Sequence, residues 1–271
     1  EKFFEHDIVE IEPEFEVTKE GISLDIPPQP LSAILPARGK QMPSNRRSLL
    51  QEAATEGQEV SGMLWGLDRM DQREWPLDHR FVSTHDGDDG GEATIFVLDS
   101  GVRSSLKEFN TIFSTSRVVS GYDFVEEDYE PEDCDGHGTH VAALAAGSVV
   151  GVAKKATIAP VRVLGCNGQG SIATLLAGLE YVAKQVQHMD SSRTIAVMSL
   201  SVQAGFWSRA LEDSVNALES EYGMVVVVAA GNHKSDACGF SPGLVSSALT
   251  VGASSAFNLM TSSSTEDRTP N

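Results

Sequence analysis

Apolar residues are distributed along the chain in two alternating patterns. Short runs that are apolar at almost every position predict buried strands over residues 93–98, 156–164, 195–200, 224–230 and 248–253. Strands without a polar face are typical of a parallel sheet that is covered on both sides. The segments between these runs have the period of a helix, so strands and helices are expected to alternate.

Three segments predict the covering helices: residues 137–147, 171–189 and 208–221. In the second segment, one apolar face consists of Leu175, Leu176, Leu179, Val182 and Val186. This alternation predicts an α/β fold, with helices on both sides of a mostly parallel sheet. Reactive groups in such folds collect at the carboxyl ends of the strands.

The first 60 residues follow a different pattern. Apolar residues alternate with glutamates over residues 7–17, which predicts a half-buried strand with an acidic outer face. Residues 18–60 are polar and rich in proline, and we expect a linker or exposed loop there. The alternation of strands and helices begins only at the strand over residues 93–98.

The composition excludes some classes of function. The formal net charge is -19, so nucleic-acid binding, which needs clustered Lys and Arg, is not expected. No run approaches the ~18 apolar residues of a membrane-spanning helix, and we expect no membrane span. The three cysteines cannot all pair with one another.

Two residues at element boundaries are candidates for acid–base chemistry. Asp99 ends a buried strand, where a carboxylate is costly unless it is paired. His137 opens a helix between Gly136 and Gly138, and a helix N-terminus disfavours a charged imidazole, as a general base requires. Seen singly, such residues are more often a turn aspartate and a structural histidine. We expect no metal site at His137 and His140, because no third ligand is evident.

Together, several segments resemble the subtilisin-like serine proteases (subtilases), and in particular their proteinase-K-like branch. The resemblance covers roughly residues 62–271, opens at residues 65–73, and rests on these motifs in family order: Asp99-Ser100-Gly101, His137-Gly138-Thr139-His140, Ala229-Ala230-Gly231-Asn232, Ser241-Pro242 and Val251-Gly252-Ala253. It implies a subtilisin-like three-layer sandwich. It also implies a secreted serine endopeptidase with polypeptide substrates, no required cofactor and calcium as an optional ligand.

The resemblance implies roles for individual residues. Asp99 would orient His137, His137 would take the proton of a nucleophilic serine, and the amide of Asn232 would hold the oxyanion. Substrate backbone would lie against two segments, which are Gly168-Gln169-Gly170 and Ser201-Val202-Gln203-Ala204.

Residues 8–14 resemble the closing strand of a subtilase propeptide. The implied arrangement is a propeptide strand over residues 1–17, a linker over 18–60 and a peptidase domain over 61–271. The propeptide would act as an intramolecular inhibitor. No Gly-Thr-Ser-x-Ala nucleophile segment occurs before Asn271, so we expect a fragment that ends before the nucleophile and is inactive by itself.

One segment departs from the family pattern. Subtilases usually have Ser-Leu-Gly-Gly on the wall of the S1 pocket, where this chain has Ser201-Val202-Gln203-Ala204. Side chains in place of both glycines would narrow the S1 pocket, where the substrate backbone lies. The departure keeps open a second hypothesis, a non-catalytic protein that binds a partner on a subtilase scaffold and retains its propeptide.

Two other features depend on the resemblance. Cysteines in similar contexts in the proteinase-K-like branch imply a disulfide between Cys134 and Cys166, and hence a secretory compartment. Cys238 would then pair with a cysteine C-terminal to Asn271; unpaired thiols are the alternative. The acidic residues 126–133 are a candidate calcium site or a solvated loop, because no fixed-spacing calcium motif is present.

Overall fold

The computed structural model describes residues 16–19, 58–59, 64–74, 76–83, 89–190 and 194–254, with the backbone alone for 16–19. The chain divides into two compact units, one of Glu1–Gly21 with Gly90–Asn271 and one of Ile22–Asp89. The strands are β1 (Glu16–Lys19), β2 (Gln58–Glu59), β3 (Arg80–Phe81), β4 (Ala93–Asp99), β5 (Tyr122–Asp123), β6 (Thr157–Arg162), β7 (Gln169–Ser171), β8 (Ile195–Leu200), β9 (Val202–Ala204), β10 (Val225–Ala229) and β11 (Leu249–Val251). The helices are α1 (Trp65–Asp71), α2 (His137–Ala146), α3 (Ile172–Gln187) and α4 (Arg209–Tyr222).

A six-stranded sheet forms the centre of the larger unit. Its strand order is β11-β10-β8-β4-β6-β5, and neighbouring strands are parallel. Strand β4 lies between β6 and β8, with Asp99 opposite Arg162 and Leu98 opposite Leu200. The predicted α/β fold with a mostly parallel sheet is confirmed. All six carboxyl ends lie along one edge of the sheet.

Helices cover the sheet on both faces. Phe96 and Leu98 of β4 belong to a core that also contains the apolar faces of α3 and α4. Ile95 and Val97 point the other way, into a core shared with α2. This alternation along one strand builds the predicted three-layer sandwich.

The observed elements differ from the predicted ones mainly at their ends. Helix α3 begins at Ile172 because the Ser171 hydroxyl accepts the Thr174 amide at 3.0 Å and caps the helix. Ser208 caps α4 in the same way, through the amide of Leu211. The strand predicted over residues 7–17 overlaps β1 only at residues 16 and 17, and residues 7–15 lie outside the described part.

A smaller antiparallel sheet has the order β7-β1-β9. Strands β7 and β9 follow β6 and β8, respectively, just past the carboxyl edge of the central sheet. Each has three residues, too few to show a hydrophobic period. This sheet therefore places β1, from the N-terminal part of the chain, between two segments that leave the central sheet.

The second unit contains α1 and the antiparallel pair β2–β3. Among the residues of this unit that the structure describes, Leu67, Asp68 and Phe81 are buried. Among the described residues of both units, no helix combines the length and apolarity needed to cross a membrane.

Candidate active site

Asp99 and His137 are in direct contact. Asp99 is the last residue of β4 and is fully buried. His137 is the first residue of α2, and its Nδ1 lies 2.7 Å from Oδ1 of Asp99. The amide of Ser100 donates to the same oxygen. A carboxylate in this position accepts a hydrogen bond from the protonated Nδ1 and leaves Nε2 as the basic nitrogen.

Two glycines allow the helix to approach the strand end this closely. A Cβ at Gly138 would lie 2.2 Å from the carbonyl oxygen of Gly101 and 3.0 Å from Cβ of Asp99. Gly101 has φ +102°, and a Cβ there would lie 2.7 Å from the carbonyl oxygen of Pro131. Both the Asp-Ser-Gly and the His-Gly-Thr-His motif therefore have a geometric basis.

Behind this pair lies a buried carboxylate that sequence reasoning missed. Oδ1 of Asp133 accepts hydrogen bonds from the Ser100 hydroxyl at 2.9 Å and the Gly136 amide at 2.8 Å. Oδ2 accepts from both the amide and the hydroxyl of Thr139. The Ser100 hydroxyl in turn accepts the Gly138 amide at 3.0 Å. Asp133 thus joins the loop after β4 to the first turn of α2.

The stability of this network should depend on pH. Burial alone would raise the pKa of Asp133, but hydrogen bonds from Thr139, Gly136 and Ser100 outweigh burial and hold that pKa below its usual value. A lowered native pKa contributes stability above the unfolded pKa, about 4, and that contribution is lost as the pH falls through the native value. We predict that the free energy of unfolding falls more steeply below about pH 4 in the wild type than in Asp133→Asn. Urea unfolding at a series of pH values tests this, and equal slopes would contradict it.

Asn232 lies at the same edge of the sheet as the Asp99–His137 pair. It follows β10, which neighbours β8, and β8 neighbours β4. Gly231 has φ +94° and makes the turn that carries Asn232 out of the strand. Asn232 is half-buried, as a side chain bordering a cleft would be.

The two predicted substrate-binding segments flank an extended chain. In β1, Val17 lies opposite Gly170 of β7 and also opposite Ala204 of β9. Thr18 lies between Gln169 and Gln203 in the same way, and Lys19 pairs with Val202. Gly168 and Ser201 directly precede β7 and β9, respectively. The main chains of β7 and β9 thus bind an antiparallel strand on both sides.

The direction of β1 relates the cleft to the acid–base pair. Because β1 is antiparallel to β9, its carboxyl end approaches Ser201 and the end of β8. Strand β8 lies directly between β4 and β10. A chain in this register therefore runs toward the edge that holds Asp99, His137 and Asn232.

A disulfide joins Cys134 to Cys166, with S–S 2.03 Å. It connects the segment before His137 to the turn before β7. Next to it, Nη1 of Arg162 lies 2.6 Å from Oδ2 of Asp123, and Nη2 lies 3.4 Å from Sγ of Cys134. Cys238 is exposed and lies outside this disulfide.

Removing this disulfide should destabilise the fold. In the chain-entropy model, a crosslink between residues 32 positions apart lowers the conformational entropy of the unfolded chain, and this stabilises the fold by about 4 kcal/mol. We predict that Cys134→Ser, Cys166→Ser and the double variant each lower the free energy of unfolding by about 2–5 kcal/mol, as is typical of a native disulfide. Because all three lose the same bond, their losses should be nearly equal. The free energies of unfolding come from chemical denaturation. If the loss in the double variant equalled the sum of the two single losses, the two cysteines would contribute separately and not through a shared disulfide.

One aspartate beside the acidic residues 126–133 and one within them accept backbone amides in turns. Oδ1 of Asp123 accepts the amides of Val125 and Glu126, and Oδ1 of Asp128 accepts that of Glu130. No cluster of three or more potential metal ligands occurs among the described residues.

Burial, and then the nearby His137, lower the pKa of His140, so this imidazole is neutral near pH 7.

Comparison with known proteins defines the family. The sequence of residues 90–270 matches the family model of the subtilase family, peptidase S8. The chain therefore belongs to the subtilase family of serine peptidases. Its fold also matches the crystal structure of a cold adapted subtilisin-like serine proteinase, with TM-score 0.66 and 39% identity over 74% of this chain and 68% of that one.

Two curated relatives place the chain in the proteinase-K-like branch. An alkaline serine exoprotease A of Vibrio alginolyticus is 43% identical over 70% of this chain and 33% of its own length. An extracellular serine proteinase of Thermus sp. (strain Rt41A) is 40% identical over 86% of this chain and 52% of its own length. The chain thus spans between a third and about half of these two relatives.

Proposed function

We propose that this chain supplies the acid, the base, the oxyanion donor and the substrate cleft of a serine endopeptidase. The observation that carries the proposal is the 2.7 Å contact between His137 Nδ1 and Asp99 Oδ1. The strand bound between β7 and β9 supports a polypeptide substrate. We expect the nucleophilic serine C-terminal to Asn232, in the Asp-His-Ser order that subtilases share.

The proposed reaction uses these groups in a fixed sequence. The serine hydroxyl attacks the scissile carbonyl carbon while Nε2 of His137 takes its proton. Asp99 keeps the Nδ1 proton in place and stabilises the imidazolium as it forms. The Asn232 amide donates to the oxyanion, and His137 then returns the proton to the leaving amine. Water repeats the cycle on the acyl-enzyme.

The position of β1 supports an intramolecular inhibitor. Residues 16–19 have the backbone pairing that a substrate would need on both sides of the cleft. In our proposal residues 1–17 belong to the propeptide, residues 18–60 form a linker and residues 61–271 belong to the peptidase domain, so the bound strand runs from the end of the propeptide into the first two linker residues. A chain bound this way blocks other polypeptides until it is cut and released.

A secretory location agrees with two observations. The Cys134–Cys166 disulfide is of a kind that persists in oxidising compartments. The Thermus relative is named an extracellular proteinase. We therefore propose that the protein is secreted.

Calcium has a place in the proposal as an optional ligand. Asp68 and Asp71 lie one turn apart on α1, and Oδ1 of each is buried without a hydrogen-bond partner among the described residues. Their Oδ2 atoms accept the amides of His79 and Val82. Carboxylate oxygens are the ligands that calcium prefers, so Asp68 and Asp71 fit such an ion better than residues 126–133 do.

A substitution of Asn232 tests the proposed function. Asn232→Ala in the full-length protein should lower kcat by about 10²–10³ with little change in KM, because the amide contacts the oxyanion only in the transition state. Hydrolysis of a fluorogenic peptide measures both constants. The matched control is Asn110→Ala, in the turn after Phe109, which should retain full activity. An effect on KM alone would contradict the oxyanion role.

A further inference from the structure

The helix that carries the proposed base begins without a cap of its own. The N-cap residue of α2 is Gly136, which has φ +105° and no side chain to accept the first amides of the helix. Two side chains that precede the helix accept them instead. The Ser100 hydroxyl accepts the Gly138 amide at 3.0 Å. Oδ2 of Asp133 accepts the Thr139 amide at 2.9 Å. The position of the first turn of α2 therefore depends on Ser100 and Asp133.

The carboxylate of Asp133 is held in a single orientation. The residue is 2% exposed. Oδ1 accepts the Ser100 hydroxyl and the amides of Asp135 and Gly136, at 2.8–3.0 Å. Oδ2 accepts the amide and the hydroxyl of Thr139. Three donors on one oxygen and two on the other fill the roughly four acceptor sites of a carboxylate.

The Ser100 hydroxyl connects Asp133 to both members of the acid–base pair. Because its oxygen accepts the Gly138 amide, its proton points to Asp133, to which it donates at 2.9 Å. Ser100 directly follows Asp99, and Gly138 directly follows His137. One hydroxyl thus links the residue after the acid to the residue after the base, and Asp133 fixes the direction of that hydroxyl.

The acid has few other contacts that could fix its orientation. Oδ1 of Asp99 accepts the Ser100 amide at 2.7 Å and lies 2.7 Å from Nδ1 of His137. Oδ2 of Asp99 is buried without a hydrogen-bond partner among the described residues. The orientation of this carboxylate therefore depends on the main chain of Ser100, which the hydroxyl of the same residue holds in place. A misplacement of about 1 Å between reacting groups costs about 10² in rate.

We propose that Asp133 is a positioning residue, which through Ser100 and Thr139 holds Asp99 and His137 in the geometry that proton transfer needs. This inference rests on the proposed function and assigns part of it to a carboxylate outside the acid–base pair. A carboxylate at a helix N-terminus also stabilises the first turn through the helix dipole. Loss of Asp133 should lower kcat and leave KM unchanged, because its hydrogen bonds hold the loop after β4 and the start of α2, whereas β7 and β9 bind the substrate.

Substitution of Asp133 in the full-length protein tests the inference. Asp133→Asn keeps the size of the side chain but places a donor where other donors already point, so kcat should fall by about 10–10² with KM within about two-fold. Hydrolysis of a fluorogenic peptide measures both constants. The matched control is Glu108→Gln at the other end of α2, where Oε1 of Glu108 accepts the amides of Val149 and Val150. This control should keep the wild-type kcat.

Two substitutions of Thr139 separate the hydroxyl from the shape of the side chain. Thr139→Val removes the donor to Asp133 and keeps the branched shape, so kcat should fall by up to about ten-fold, the effect of one hydrogen bond. Thr139→Ser keeps the hydroxyl and should stay within about two-fold of the wild type. Because the two residues act as a unit, Asp133→Asn combined with Thr139→Val should lose less than the product of the two single losses.

The proton between the acid and the base gives a readout that a loss of stability alone would not move. In the wild type, the Nδ1 proton of His137 that is hydrogen-bonded to Asp99 should give a low-field NMR signal, assigned with ¹⁵N-labelled histidine. The signal should shift in Asp133→Asn and in Thr139→Val. It should stay in place in Thr139→Ser and in Glu108→Gln.

Active-site titration with a fluorophosphonate separates this inference from the proposed function. A folded Asp133→Asn protein that is titrated, with the wild-type kcat and an unshifted signal, would overturn the positioning role and leave the peptidase intact. Equal losses of kcat in Thr139→Val and Thr139→Ser would also overturn it. A wild-type protein that is neither titrated nor active on any peptide would overturn the proposed function and this inference with it.

Discussion

Replacing His137 with alanine should lower kcat of the full-length protein on the order of 10⁶-fold. The imidazole is the only group in the proposed reaction that both accepts the serine proton and returns it to the leaving amine. KM should change little, because the backbone pairing at β7 and β9 does not involve His137. Steady-state kinetics with a fluorogenic peptide measures both constants.

The control for this variant is His188→Ala. His188 caps the C-terminus of α3 and is exposed, so its loss should leave kcat unchanged. Circular dichroism and thermal unfolding should show that His137→Ala keeps the native fold. A His137→Ala variant with more than about one-hundredth of the wild-type kcat would rule out general-base catalysis by this residue.

Asp99→Asn should lower kcat by about 10⁴. The side-chain amide introduced by this substitution can donate to Nδ1 of His137, which moves the imidazole proton to Nε2 and removes the base. The loss should fall on kcat, because Asp99 is fully buried and contacts the imidazole instead of the bound strand. Kinetics across a pH series measures the loss.

The control for Asp99→Asn is Asp213→Asn. Asp213 is exposed on α4 and pairs with Arg209 at 3.6 Å, an ion pair of the kind that contributes little to stability. Its loss should change neither kcat nor KM. If Asp99→Asn lowered activity less than about ten-fold, the 2.7 Å contact with His137 would have a structural role only.

The central sheet was predictable because of how it is buried. Strands β4, β6, β8 and β10 are covered on both faces, so each is a nearly continuous apolar run that stands out in the sequence. Helices α3 and α4 were predicted from the same alternation, but the prediction placed Ser171 and Ser208 inside them, where the structure has these serines as N-caps. Both the apolar strands and the amphipathic helices depend on the local order of apolar and polar residues, which the sequence shows directly.

The cleft was less predictable because backbone contacts form it. Strand β9 is buried at all three positions, so no alternation shows where Gln203 points. The sequence predicted that this side chain narrows the site, and the structure adds its contact with Gly231. The alternation over residues 7–17 predicted a strand but not its partners, and the described strand begins at Glu16.

The support of the acid–base pair also required the fold. Asp133 belongs to an acidic stretch that resembles a solvated loop in sequence. Only the crossover between β4 and α2 brings the Ser100 and Thr139 hydroxyls to its carboxylate. A contact between residues 33 positions apart leaves no periodic signal in the chain.

Covalent labelling of the full-length protein tests most directly whether His137 and Asp99 activate a serine. A fluorophosphonate should modify one serine C-terminal to Asn232, identified by mass spectrometry, at a rate that falls sharply in His137→Ala and Asp99→Asn. Labelling that is absent from the folded wild-type protein, or equally fast in both variants, would contradict the account.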